Sequence, residues 1–186
     1  MPRSFFYLLL LAVILLTLAL VVRSGWFELR TTDEPINSAM RSALAREQPE
    51  LSTQDSLAID RFYPTAHVLK SGLRYLVRAP GTGARTPKPG DTVTVHYAGR
   101  LLGGAAIDSS YSGGVPFTFQ VGTDQVIAGW DEAILTMKKG EKRTLIIPYW
   151  LAYGSNGRPP TIPPRATLVF EVELLDFKAP ATTHSA

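Results

Sequence analysis

The sequence predicts an α+β domain made of several antiparallel strands and one amphipathic helix. An apolar N-terminal segment and a polar connector precede it. Three observations carry this reading. Five short stretches between Leu73 and Leu174 read as strands, most of them alternating apolar and polar residues. Only Val126–Lys139 within that region carries apolar residues at helical spacing. Phe5–Val22 runs eighteen residues without a charge. Strands with a single amphipathic helix argue for α+β. The resulting division is 1–24 signal anchor or signal peptide, 25–65 partly helical spacer, 66–178 folded domain, and 179–186 disordered tail.

The N-terminal segment is FFYLLLLAVILLTLALVV. As a helix it spans roughly 27 Å at about 1.5 Å per residue, close to the ~30 Å hydrocarbon core of a bilayer. Two readings compete. A cleaved signal peptide has a shorter apolar region and a small-x-small site, and Thr17-Leu18-Ala19 lies inside the apolar run instead. An uncleaved anchor accounts better for all eighteen residues. Arg3 and the α-amine precede the run, which favours an inside N-terminus, while Arg23 and Arg30 beyond it weaken that bias. In the connector, Ile36, Met40, Ala43 and Leu44 recur at helical spacing within Glu34–Arg46, and Pro35 suits a first turn. Pro49 ends that helix, and a second short helix is expected near Gln54–Phe62.

In the main domain Leu73–Arg78 alternates as a strand, and Ala79–Asp91 is a Gly/Pro-rich loop. Val93, Val95 and Tyr97 share one face of the strand Thr92–Tyr97, as do Phe117, Phe119 and Val121 in the next. The helix over Val126–Lys139 puts Trp130, Ile134 and Met137 on one stripe, with Lys138 and Lys139 at its C-terminal dipole and Gly140 as cap. Lys142–Ile147 is β-branched. In the last strand Leu168, Phe170, Val172 and Leu174 alternate with Val169, Glu171 and Glu173, a pattern expected to bury one face.

The chain has no cysteine, which excludes disulfides, thiol catalysis and zinc–thiolate sites. His67, His96 and His184 have no metal-like spacing, Gly103-Gly104 and Gly113-Gly114 are turn pairs, and Ser109-Ser110 lack a nucleophile-elbow context. No metal or cofactor is expected. Three of the nineteen basic residues and one of the sixteen acidic ones fall in residues 1–30. The remainder is close to neutral, so the formal net charge of +3 is no nucleic-acid footprint. What stands out is a supply of aromatics: Tyr97, Phe117, Phe119, Trp130, Tyr153 and Phe170. Read singly, each is most simply a core residue.

Five motifs occur in order: VHYAG (Val95–Gly99), IDSS (Ile107–Ser110), VIAGWDEAI (Val126–Ile134), LAYG (Leu151–Gly154) and IPPRATLVFEVELL (Ile162–Leu175). Together, from about Ser71 to Lys178, they resemble the FKBP-type peptidyl-prolyl cis-trans isomerase domain. IPYWLAYG followed by IPPRATLVFEVELLDF is most similar to bacterial, membrane-anchored or exported members. The resemblance implies a curved antiparallel sheet wrapped around one short helix. It also implies a ligand pocket made by Tyr97, Ile107, Asp108, Phe117, Val126, Ile127, Trp130 at its floor, Tyr153, Ile162 and Phe170, with Phe119 mainly core. Of these, Tyr97, Asp108, Trp130, Tyr153 and Phe170 would act on the reacting bond, and Ile107, Phe117, Val126, Ile127 and Ile162 would bind substrate. Proline-containing polypeptides become the expected substrates and rapamycin-type macrolides further candidate ligands. Phe5–Val22 would contact the lipid bilayer, and no nucleic acid is expected. The expected location is the cytoplasmic membrane, single-pass, with the C-terminal domain in the periplasm or outside; the alternative is a soluble periplasmic form after signal cleavage.

The chemistry suits these residues. Resonance opposes rotation about a peptide bond by about 18–20 kcal/mol, and Xaa-Pro isomers of similar energy exchange only over tens to hundreds of seconds. Twisting the bond removes resonance and charge separation. A dry aromatic pocket therefore favours the twisted state over the hydrated planar amide. The Tyr153 hydroxyl and the Ile127 N–H would donate to substrate carbonyls. Asp108 would orient pocket tyrosines or face the twisted carbonyl; its simpler reading is a turn residue. Three positions depart from the family. Ile107 stands where many members have phenylalanine. Gly113 replaces an arginine that pairs with the aspartate in some members. Arg158 and Thr161 replace residues that are often His, Gly or Ile, in a loop (GSNGRPPTIPP) expected to form the pocket mouth. The rival readings are a non-catalytic proline-peptide-binding module or tethered holdase, and a domain recognising a membrane partner through residues 34–62.

Overall fold

The structure is a computed structural model that describes residues 49–180. Phe5–Val22, the helix expected over Glu34–Arg46 and residues 181–186 of the expected tail lie outside the described residues. No helix among the described residues is long and apolar enough to cross a membrane.

Ser52 starts the first helix, α1 (Thr53–Phe62), by accepting the Asp55 N–H on its hydroxyl at 3.0 Å. Asp55 in the first turn and Arg61 in the last complement the helix dipole. The strands follow as β1 (His67–Val68), β2 (Arg74–Ala79), β3 (Thr92–Leu101), β4 (Ala106–Ser109), β5 (Phe117–Gln120), β6 (Lys142–Ile147) and β7 (Leu168–Lys178). They form one antiparallel sheet in the order β1-β2-β6-β7-β3-β4, with β5 also paired to β3. Register shifts at Thr94/Val95, Val77/Ala79 and Gly99/Arg100 bend it. A single turn of helix, α2 (Ser110–Gly113), follows β4, and α3 (Ala128–Ile134) lies between β5 and β6.

The expected α+β class and antiparallel sheet with its helix are present, α1 matches the short helix expected near Gln54–Phe62, and only the single turn α2 was not expected. The main core forms where α3 packs its buried Trp130, Ala133 and Ile134 against Val93, Val95, Leu145, Ile147, Phe170 and Val172. Gly129 allows this close approach, since a Cβ there would lie 2.5 Å from Ile147 Cγ2.

α3 is half the length expected from Val126–Lys139. The residues after Ile134 find partners outside the helix. The Arg143 guanidinium donates to the Thr136 carbonyl at 3.0 Å and to its hydroxyl at 2.8 Å, while Glu141 accepts the Lys138 N–H at 2.8 Å. Lys138, Lys139 and Gly140 therefore form a turn into β6, and the Gly140 N–H bonds to Leu174. The stripe continued in sequence because Met137 is still buried, although the backbone there is no longer helical.

The last strand also differs from its pattern. Val169, expected on an open face, is fully buried together with Ile146. α1 covers them with Ile59 and Tyr63. Residues assigned to the spacer by composition thus pack on the back of the sheet, and the described residues form one compact unit beginning at Pro49.

Candidate active site

Strand register assembles the site on the face that carries α3. Tyr97 lies opposite Val172, Val95 opposite Phe117, and Gly99 opposite both Phe170 and Asp108. Val95, Tyr97 and Gly99 share one face of β3, so the side chains of Phe117, Asp108 and Phe170 converge on it. Gly99 is required there: a Cβ would stand 2.3 Å from the Phe170 ring. The missing side chain lets that ring lean across β3 toward the tyrosine.

The resulting cavity holds about 540 Å³ and is lined by Tyr97, Ile107, Asp108, Phe117, Val126, Ile127, Trp130, Tyr153 and Phe170, together with Gln125 and the loop Arg158–Thr161. The ring faces interlock. Trp130 meets Tyr97 edge-on at 5.0 Å and Phe170 at 5.2 Å, and Phe117 stands 6.1 Å from Tyr97. Such contacts contribute beyond burial alone. Phe119 is buried and stacks behind Phe117 at 5.3 Å, a second layer of the wall. Trp130 is buried, yet its Nε1–H has no protein partner.

Polar groups hold the cage in place. The Tyr97 hydroxyl donates to Asp108 Oδ2 at 2.5 Å, and Asp108 Oδ1 accepts the Ser109 N–H at 2.7 Å. Asp108 is therefore held by the tyrosine and its own turn, with Gly113 supplying no side chain. The two serines of IDSS staple the backbone of Tyr97. Ser110 Oγ accepts its N–H at 2.8 Å, and the Ser109 hydroxyl donates to its carbonyl at 3.2 Å. His96, on the opposite face, bonds to the same Ser110 Oγ at 2.9 Å and stacks on Tyr111. Burial, and then the adjacent Asp108 carboxylate, push the Tyr97 hydroxyl up to about 12, so it stays protonated in any ordinary medium.

Nine of the ten residues expected in the pocket line it. Ile162 does not. It is buried in the core and exchanges hydrogen bonds with Arg158, whose N–H donates to the Ile162 carbonyl at 2.8 Å while the Ile162 N–H returns one at 2.9 Å. It anchors the mouth loop from below. The sequence reading passed over Gln125, for which the clue available was its adjacency to Val126; Pro159 and Pro160 lie in the loop expected at the pocket mouth. Ile127 caps α3 with extended backbone. Among the described residues nothing accepts its N–H, which leaves a donor beside the cavity.

A sequence profile of the family described as FKBP-type peptidyl-prolyl cis-trans isomerase matches residues 83–175. The chain is 53% identical over 97 residues to FK506-binding protein 1A of Emericella nidulans, covering 52% of this chain and 90% of that one. It is 55% identical over 94 residues to the peptidyl-prolyl cis-trans isomerase FPR2 of Saccharomyces cerevisiae, covering 50% and 70%. A crystal structure of AtFKBP13 superposes with a TM-score of 0.58 at 39% identity, over 61% of this chain and 98% of that one. The two relatives named with an organism are eukaryotic, so the bacterial affinity expected from the motifs is not carried by them.

Proposed function

Because this chain belongs to the FKBP-type peptidyl-prolyl cis-trans isomerase family and is an isomerase of that class, we propose that it turns over Xaa-Pro bonds inside the cage around Trp130. The proline ring sits against Trp130, Tyr97 and Phe170. The Ile127 N–H and the Tyr153 hydroxyl donate to carbonyls on either side, and Asp108 fixes Tyr97 as one wall. The observation that carries this reading is the set of edge-on aromatic contacts that Trp130 makes with Tyr97 and Phe170, which wall one side of the cavity. Such a wall favours the twisted, less polar amide over the planar one that water solvates. No proton transfer is needed, which agrees with a tyrosine held protonated. Macrolides of the FK506 and rapamycin type compete for the same cage; the name of the Emericella relative supports this. Exchange measured on a short Xaa-Pro peptide, with and without macrolide, tests the reading. Catalysis abolished by stoichiometric macrolide supports it, and catalysis indifferent to macrolide contradicts it.

The enzyme works on unfolded or partly folded proteins outside the cytoplasmic membrane, held there by Phe5–Val22. Support comes from the eighteen uncharged residues of that run, whose burial at ~0.8 kcal/mol per CH₂ makes insertion effectively irreversible. Intact mass and protease accessibility on spheroplasts test it. A full-length, membrane-bound and externally digestible chain is expected. A soluble form starting near Leu20 means a cleaved signal, and protection from the protease means the reverse orientation.

A further inference from the structure

The cavity lining holds one anion and one cation, and they are in different situations. Asp108 is the anion, and both its oxygens are engaged, by the Tyr97 hydroxyl and the Ser109 N–H. Arg158 is the cation. The ion pairs among the described residues are Lys139–Asp176, Lys142–Glu173 and Arg143–Glu141, and Arg158 takes part in none. Its guanidinium lies 6.0 Å from the centre of the Tyr153 ring, within reach of a cation–π contact at the cavity mouth. The side chain is exposed, but its backbone is fixed by the two-way hydrogen bonds with buried Ile162. Gly157 tightens the same turn: its φ is +65°, and a Cβ there would meet the Ile162 and Pro163 carbonyl oxygens at 2.4 Å. The next two residues, Pro159 and Pro160, have little freedom to move the base of the arginine. A charge on a pre-ordered base loses less entropy when it pairs with a ligand.

We infer that Arg158 is a specificity-determining residue that selects proline segments with a carboxylate one or two residues from the proline. The inference rests on the cage being the isomerisation site. With the proline ring on Trp130, neighbouring residues leave the cavity past Tyr153, at about 3.3–3.6 Å per residue, and pass the guanidinium. Nothing else in the lining competes for it. The same lining also offers Phe117, exposed and apolar, so the mouth presents both a charge and an apolar ring. The preferred client segment is therefore acidic close to proline.

The test is the catalytic efficiency of the full chain in detergent micelles. Exchange NMR is run on peptides carrying Glu, Gln or Lys at each of the two positions on either side of proline. At low salt the Glu peptide is expected to exceed the Gln peptide by about two- to fivefold at one position, the scale of an exposed ion pair, and the Lys peptide to fall below both. The advantage shrinks near 0.3 M salt, where charges separated by more than several Å are screened. Arg158→Gln abolishes the Glu-to-Lys ratio and Arg158→Glu inverts it, which a merely structural defect cannot do, because that lowers all peptides alike. A ratio unchanged by charge reversal, or equal rates for all peptides in the parent protein, overturns the role of Arg158 and leaves the isomerase site standing. No acceleration of any peptide by the folded parent protein overturns the site itself and this inference with it.

Discussion

The two faces of the sheet are made of alternate residues of the same strands, yet they end in opposite states. On the outer face polar groups are satisfied: Arg78 donates to Thr144 Oγ1 at 2.6 Å, Thr144 donates to Glu171 at 2.7 Å, and Lys142 pairs with Glu173 at 2.9 Å. Next to them α1 seals Ile146 and Val169 under Ile59 and Tyr63. On the inner face α3 is too short to cover the sheet. It leaves a cavity, an unpartnered Trp130 N–H and an unaccepted Ile127 N–H. Unmade hydrogen bonds in a buried place cost stability; the Trp130 and Ile127 donors lie at the cavity, while the other unpartnered buried side-chain atom among the described residues, Thr167 Oγ1, lies just before β7. The outer face is scaffold and the inner face is site.

Substitutions that separate stability from rate would sharpen this contrast. The largest effect is expected at Ile59→Ala on the outer face. Truncating a buried isoleucine costs about 2–5 kcal/mol, visible as a lower urea midpoint, while the isomerisation rate of the still-folded protein stays within twofold. A rate loss matching the stability loss would break the contrast. Neighbouring residues of β3 give a finer comparison. Gly99→Ala drives a methyl into the Phe170 ring; overpacking of this kind costs about 1–3 kcal/mol, and a transition state disturbed by ~1.4 kcal/mol loses about tenfold in rate. Ala98→Val, one residue away on the outer face, should change the rate less than twofold.

Smaller effects probe the cage itself. Ile107→Phe adds aromatic wall at a lining position. At about 25 cal/mol per Å² of apolar burial, a several-fold gain in efficiency is expected for peptides with an apolar residue before proline. Unchanged kinetics across a panel of such peptides would place Ile107 out of contact with substrate. The last effect concerns pH. Tyr97 is raised from 10.0 to about 12, so the folded state favours its protonated form. That contribution to stability is complete below pH 10 and is lost as pH rises through 12. The parent protein should lose stability relative to Tyr97→Phe over that window in urea titrations. Parallel curves would mean that Tyr97 ionises as freely in the folded chain as in the unfolded one.

Much of this was legible in the sequence, and the misses share a cause. Alternation in Thr92–Tyr97 and Leu168–Leu174 located the central strands because one side of each is core. Eight of the nine expected residues that line the pocket lie in the five motifs, and Phe117 lies in the strand between two of them. Alternation could not reveal that Val169 is sealed by α1, because a second cover on the outer face leaves its trace in a different segment. Helical spacing overran α3 because Met137 is buried through a turn held by Arg143 and Glu141, a tertiary arrangement with no local signature. Ile162 was placed in the pocket because it matches a pocket position of the family motif. Its own side chain is buried in the core, and what it contributes is the position of Arg158.

The most direct test of the division between site and scaffold is one NMR titration of the ¹⁵N-labelled protein with an Xaa-Pro peptide, in which amide shifts and peptide cis–trans exchange are followed together. Exchange cross-peaks should appear on a timescale far shorter than the uncatalysed tens to hundreds of seconds, with shifts centred on Tyr97, Asp108, Ile127, Tyr153 and Phe170 and none at Ile59, Tyr63 or Val169. A folded protein that yields no exchange cross-peaks, or shifts centred on α1 and the outer face, would contradict it.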